Sequence, residues 1–81
     1  MRLDKYLKVS RIIKRRTVAN DACDGEHIIV NGRVAKASYD VKEGDIIELH
    51  LGAKVMKAKV TDVREHSLKS DAATMYEIIN D

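Results

Sequence analysis

Leu3, Tyr6 and Leu7 stand at i, i+3 and i+4, which predicts a short first helix with one apolar face and leaves Arg2, Lys5 and Lys8 outside it. From Ser10 to Lys14 the period breaks, so a turn is expected there, pinned to the core by Ile12 and Ile13. Val18, Ala19, Ala22 and Cys23 then form the stripe of a second helix, and Gly25 stands where a left-handed cap would close it. Beyond Gly25 the pattern turns strand-like. His27 to Val30, Asn31-Gly32 and Arg33-Val34 read as a tight hairpin, because both central positions of such a turn must accept positive φ. Gly44-Asp45 turns the chain into Ile46 to Leu51, where Ile47, Leu49 and Leu51 share one face and Glu48 and His50 the other. After Gly52-Ala53, Met56, Ala58 and Val60 alternate with Lys57, Lys59 and Thr61, the signature of a half-buried strand. In the tail, Ser70 is placed to cap a helical turn through Ala73, and Tyr76 to Ile79 reads either as a closing strand or as an extended arm. The expected fold class is α+β, with two short N-terminal helices packed on a small, mainly antiparallel β-sheet over residues 1–65. Residues 66–81 are expected to form a tail packed on that domain.

Length limits what such a chain can do. Its 81 residues suffice for one small domain with a thin core and leave no room for a separate catalytic domain. The 44% hydrophobic content is too high for wholesale disorder even with 35% charged residues. No repeat or proline-marked linker divides the chain. A membrane span needs about 18 consecutive apolar residues, and none is present; the start also lacks the apolar region of a secretory signal. A cytoplasmic protein is the expectation. The single cysteine, Cys23, cannot form an internal disulfide, which fits a reducing compartment, and its place on the second helical stripe marks it as a small core residue.

The charge distribution changes the picture most. Residues 1–16 hold seven Lys and Arg against one acid, Asp4, a formal charge of +6, whereas the rest of the chain holds eight against twelve, or −4. A net charge of only +2 therefore conceals a polarised molecule whose basic end should face a polyanion. A membrane surface would call for large apolar anchors beside the cations, and the chain has no Trp or Phe. Nucleic acid fits better. Single-strand readers stack bases on exposed aromatics, yet only Tyr6, Tyr39 and Tyr76 are available, and Tyr6 lies on the apolar face of the first helix. Recognition is therefore expected to rest on backbone shape and phosphate position, as in structured RNA, with stacking not dominant.

Other chemistry finds little support. His27, His50 and His66 are widely spaced and match no zinc pattern. No phosphate-cradling glycine loop, nucleophile motif or paired acid and base can be assembled, so an enzyme is not expected, nor a cofactor. In the first turn of a helix Asp4 complements the macrodipole, and it is also placed to orient Lys8 at i+4.

Taken in order, RLDKYLKVSR, RRTVANDACDG and IIVNGRVAKASYDVKEGD closely resemble the RNA-binding domain first named for a small-subunit ribosomal protein, also called the αL RNA-binding motif. The match runs from Arg2 to about Leu51. In that family, two helices on a small sheet present a basic surface to folded rRNA or tRNA. Many members are appendages of pseudouridine synthases or tyrosyl-tRNA synthetases, whereas this chain is nearly the bare domain. With IIKRRTVA and the tail MYEII it resembles, along its whole length, the free-standing bacterial members that act in ribosome-associated quality control. A related heat-shock type shares the domain but usually carries a longer, basic C-terminal extension.

The resemblance implies a non-catalytic, monomeric RNA-binding factor. Its partners would be 23S rRNA and peptidyl-tRNA on the large ribosomal subunit, together with the factor that adds untemplated alanines to stalled nascent chains. Carried over residue by residue, Arg2 and Arg16 are the foremost RNA contacts, with Lys5, Lys8, Arg11, Lys14 and Arg15 supporting, Asp4 orienting the cluster, and Lys36 joining after the hairpin. Two alternatives stand beside it: a heat-shock-type binder that recycles obstructed large subunits, and a protein-docking module that uses the acidic sheet side and binds RNA incidentally. One departure is visible. The family often places Ser or Thr before the arginine that starts helix two, and here that position is Arg15, which cannot cap the helix with a side-chain oxygen. Either the helix start frays until RNA binds, or Arg15 is a further phosphate contact.

Overall fold

The i, i+3, i+4 stripe of Leu3, Tyr6 and Leu7 builds helix α1, Leu3–Val9, and all three side chains are fully buried. The Tyr6 hydroxyl donates to the Met75 carbonyl at 2.7 Å, so a residue far along the chain ties the helix to the end of the sheet. A computed structural model of the protein describes residues 1–64 and 74–79. The expected helical turn from Ser70 to Ala73 lies outside the described residues.

Helix α2 spans Arg16–Asp24 and buries Ala19, Ala22 and Cys23. Val18 does not belong to this stripe. It is 48% exposed, because a residue one position before Ala19 points about 100° away from the buried face. The end of α2 also differs from expectation. Gly25 has φ −80°, and the left-handed position falls on Glu26, at φ 62°. The Glu26 N–H donates to the Cys23 carbonyl at 3.0 Å and the His27 N–H to the Ala22 carbonyl at 2.9 Å, the two bonds of a Schellman closure shifted by one residue. Glycine suits position 25 for a different reason: a Cβ there would lie 2.7 Å from the His27 ring. At the other end of α2, Arg15 is the N-cap residue, in extended geometry (φ −119°, ψ 133°), and makes no side-chain capping bond. Arg15→Ser supplies the missing acceptor in a backbone already shaped for it. We expect a gain of about 1 kcal/mol, read as a higher urea midpoint with an unchanged slope.

Five strands form one antiparallel sheet in the order β2-β1-β3-β4-β5: β1 Ile28–Val30, β2 Arg33–Val34, β3 Ile46–Leu51, β4 Lys54–Val60 and β5 Tyr76–Ile78. This is the expected α+β architecture of two helices on a small sheet. Asn31 and Gly32 both take positive φ, 52° and 83°, which makes the β1–β2 turn the primed type that matches strand twist. On β3, Ile47 and Leu49 are fully buried, but Leu51 is 42% exposed. Its register partner is Lys54 at the hairpin tip, so Leu51 has the parity of the buried face but lies beyond the core. The Tyr76 to Ile79 segment takes the sheet-closing alternative through β5.

A single carboxylate fastens the β1–β2 hairpin to the sheet. Asp45 accepts from Asn31 Nδ2 at 3.0 Å, from the Tyr39 hydroxyl at 2.9 Å and from the Lys42 N–H at 3.0 Å. Asn31 Oδ1 in turn accepts the Ile46 N–H at 2.9 Å. The N-terminal segment is held as well: the Leu3 N–H donates to the Tyr39 carbonyl at 2.8 Å and the Val41 N–H to the Met1 carbonyl at 2.8 Å. Arg2 is thereby fixed beside the first turn of α1, against the 37–41 loop.

Candidate nucleic-acid interface

Packing α1 against α2 brings together residues that lie twelve and sixteen positions apart from Asp4. The Asp4 side chain is buried, yet Oδ1 accepts from the Lys5 N–H at 2.8 Å and from Arg2 Nε at 3.1 Å. Its other oxygen, Oδ2, receives Arg2 Nη2 at 3.4 Å, Arg16 Nε at 3.4 Å and Asn20 Nδ2 at 3.3 Å. One carboxylate therefore positions two guanidinium groups, one from the residue that precedes α1 and one from the first residue of α2. The arginine side chains remain 51% and 48% exposed, so each is anchored at one edge while staying accessible to a ligand.

Electrostatics keeps this arrangement charged. Burial pushes the Asp4 carboxyl up, but the bonds from Asn20, Arg2, the Lys5 backbone and Arg16 together outweigh it and hold the group below the usual carboxylate range. A carboxylate so occupied by donors is suited to orient its neighbours. Cys23 is inert for the opposite reason: burial, with Asp4 and Asp24 nearby, pushes its thiol up to about 11.

The other cations predicted from the sequence are placed unevenly. Lys8 occupies the last turn of α1, where it complements the macrodipole, and the Asp4 carboxylate is taken by the arginines and Asn20 rather than by Lys8. Arg11, with φ 62°, closes α1 by donating its N–H to the Lys8 carbonyl at 3.1 Å, and its side chain is exposed. Lys14 and Arg15 are exposed on the same inter-helix turn, and Lys5 is partly buried. Lys36 lines one groove with Arg2 and Asn20. Asp24 and Glu26 line the same groove and mark the edge of the cationic area.

Two polar residues escape a reading of the sequence. Asn20 stands at i+4 from Arg16, which puts both on one side of α2, a spacing that is available to find it. Arg33 follows the hairpin turn and lines a second groove with Lys36, a placement that only the folded hairpin creates. The solvent side of the sheet is not uniformly acidic. Glu48 pairs across strands with Lys57 and Glu77 with Lys59, so opposite signs alternate there.

The sequence profile of the S4 domain family matches residues 1–47. The chain is 54% identical over 81 residues to the RQC P-site tRNA stabilizing factor of Streptococcus pneumoniae, covering 100% of this chain and 92% of that protein. It is 51% identical over 78 residues to the RQC P-site tRNA stabilizing factor of Halalkalibacterium halodurans, covering 96% of this chain and 89% of that one. Among solved structures it is similar to the trimeric structure of Vibrio cholerae Heat Shock Protein 15, with a TM-score of 0.89 and 28% identity over 98% of this chain and 81% of the other.

Proposed function

The chain belongs to the S4 domain family and, within it, to the RQC P-site tRNA stabilizing factors, and from that premise we propose that it holds tRNA in the P site of the large ribosomal subunit during ribosome-associated quality control. The observation that carries this reading is the pair of arginines, Arg2 and Arg16, held by the buried Asp4 at one surface where two helices meet. Arginines fixed at one edge and open at the other suit the phosphates of folded RNA, because the fork geometry is set before binding and little side-chain entropy is lost. Lys5, Lys8, Arg11, Lys14, Arg15 and Lys36 extend the positive field along the RNA backbone.

In this reading the protein acts as a cytoplasmic, non-catalytic monomer. It bridges 23S rRNA and peptidyl-tRNA, and so keeps the nascent chain in place while a partner factor adds alanines. The sign-alternating face of the sheet offers no comparable attraction for a polyanion, so docking occurs in one orientation.

Sedimentation of the purified protein with large subunits tests the proposal, using subunits that carry peptidyl-tRNA and subunits stripped of it. We expect binding to both, tighter where tRNA is present, and weakening steeply as salt rises. Equal binding to the two preparations would remove the tRNA half of the reading. Partner recovery that survives complete ribonuclease digestion would favour protein docking instead.

A further inference from the structure

Between the β1–β2 hairpin and the loop before Val41 lies an open cavity of about 730 Å³, within the usual size range of small-ligand pockets. Among its lining residues are Asn31, Arg33, Val34, Lys36, Ser38 and Tyr39, and no acid. Lys36 and Ser38 also line the groove that leads to Arg2 and Asn20, so the segment between Val34 and Ser38 separates two depressions of one continuous surface.

Tyr39 is fixed in this cavity by three bonds. Its hydroxyl donates to Asp45 at 2.9 Å, its N–H donates to the Lys36 carbonyl at 3.0 Å, and its own carbonyl accepts the Leu3 N–H at 2.8 Å. A half-buried aromatic ring held this way loses little freedom when a flat partner packs on it. Arg33 and Lys36 are exposed and have no ion-pair partner among the described residues. Two cations without an ion-pair partner among the described residues, beside an aromatic ring pinned by the buried Asp45, complement a base and its flanking phosphates.

We propose that this cavity receives one unpaired nucleotide of the RNA that crosses the Arg2–Arg16 surface. Its base packs on Tyr39, and Arg33 and Lys36 contact the phosphates on either side. Tyr6 is buried, and Tyr76 lies on β5, at the opposite edge of the sheet from the hairpin, so Tyr39 supplies the stacking here while the helices read backbone shape. The inference rests on the RNA-binding reading above and adds to it a preference for a break in pairing.

Nuclear magnetic resonance on the full chain tests it with two probes, hexauridylate and a blunt 12-base-pair RNA duplex (a length of about one helical turn). Hexauridylate is expected to shift the Tyr39 ring and the Arg33 and Lys36 amides, whereas the duplex shifts Arg2 and Arg16 and leaves Tyr39 unmoved. Tyr39→Leu should weaken hexauridylate binding about 10-fold, within the range for removal of one base–aromatic stack, and leave duplex binding unchanged. Tyr39→Phe keeps the ring and should bind within about 2-fold of the parent. Should Tyr39→Leu fail to fold by circular dichroism, the parent shift map and Arg33→Ala still decide. Duplex binding through Arg2 and Arg16 together with a Tyr39 ring that hexauridylate leaves unmoved overturns this inference alone, and absence of binding to either RNA overturns both readings. Equal shifts at Tyr39 from a hexa-aspartate peptide would also overturn it, since charge alone would then explain the interaction.

Discussion

Replacing Arg2 and Arg16 together with alanine is expected to weaken binding to large subunits by about 100-fold or more at physiological salt. Charge-assisted hydrogen bonds contribute about 1.5 to 3 kcal/mol each, so even the lower figure, applied to two arginines, reaches that factor. The salt slope should fall by roughly 0.7 to 0.9 for each phosphate that is no longer neutralised. The two effects are not independent, because both guanidiniums share Asp4 and removing one leaves the other with a freer carboxylate. Measuring both single variants and the double closes a cycle that should give a non-zero coupling. A lysine pair at the same positions separates charge from geometry. It keeps the salt slope but forfeits the forked donors, so its affinity should fall between those of the parent and the alanine pair. Binding unchanged by the double alanine variant would mean that RNA does not engage this surface.

Asp4→Ala should lower stability by about 2 to 3 kcal/mol and also weaken RNA binding, although it removes a negative charge from a polyanion-binding surface. Field strength alone predicts the opposite sign for binding, so the result discriminates. The destabilisation follows from the donors left behind: Asn20, the Lys5 N–H and two guanidiniums lose a common acceptor in a partly buried setting. Because the arginines are about half exposed they can rehydrate, which keeps the cost below that of a fully buried pair. At about 4 to 8 °C per kcal/mol for a domain of this size, the melting temperature should drop by about 10 to 20 °C.

The pH dependence has a defined sign. Burial raises the Asp4 carboxyl but its hydrogen bonds together lower it by more, so the folded pKa lies below the unfolded one. Its stabilisation is fully present above the unfolded value of about 3.9 and is lost as pH falls through the folded value. Asp45 is depressed in the same way: burial opposes, while the Lys42 N–H, Asn31 and Tyr39 bonds prevail. Stability should therefore decline below about pH 4, and Asp4→Asn should flatten part of that decline. Chemical denaturation at pH 3 and pH 6 on both proteins measures the difference. Tighter RNA binding by Asp4→Ala would mark the carboxylate as a repulsive charge and not an organiser.

The helical face of α1 is legible in the sequence because Leu3, Tyr6 and Leu7 repeat at a helical period, and no other local structure buries all three. Asn31-Gly32 is legible because few residue pairs accept two positive φ angles. The end of α2 is displaced by one residue from its sequence signal. A glycine in a left-handed cap and a glycine kept small by a neighbouring ring look identical in sequence, and only the His27 ring tells them apart. Val18 and Leu51 lie outside the core for a related reason: periodicity gives the parity or angle of a side chain but not where the core ends. Arg2, Asp4 and Arg16 are readable as a charge cluster, and Arg15 as a missing cap. Asn20 is placed on the Arg16 side of α2 by its i+4 spacing, but its bond to Asp4 is not readable, since that depends on how α2 lies against α1.

Local sequence by itself determined the types of the elements before the tail, the hairpin turn and the concentration of positive charge at one end, because each follows from spacing, backbone preference or a sum of charges over neighbouring residues. Tertiary structure alone decided that Asp4 turns inward and takes both arginines, that Asp45 fastens the hairpin to the sheet, and that Tyr39 faces a cavity beside Arg33 and Lys36. Those outcomes depend on distances between residues far apart in the chain, which are set when burial of the common core fixes how the helices and strands pack.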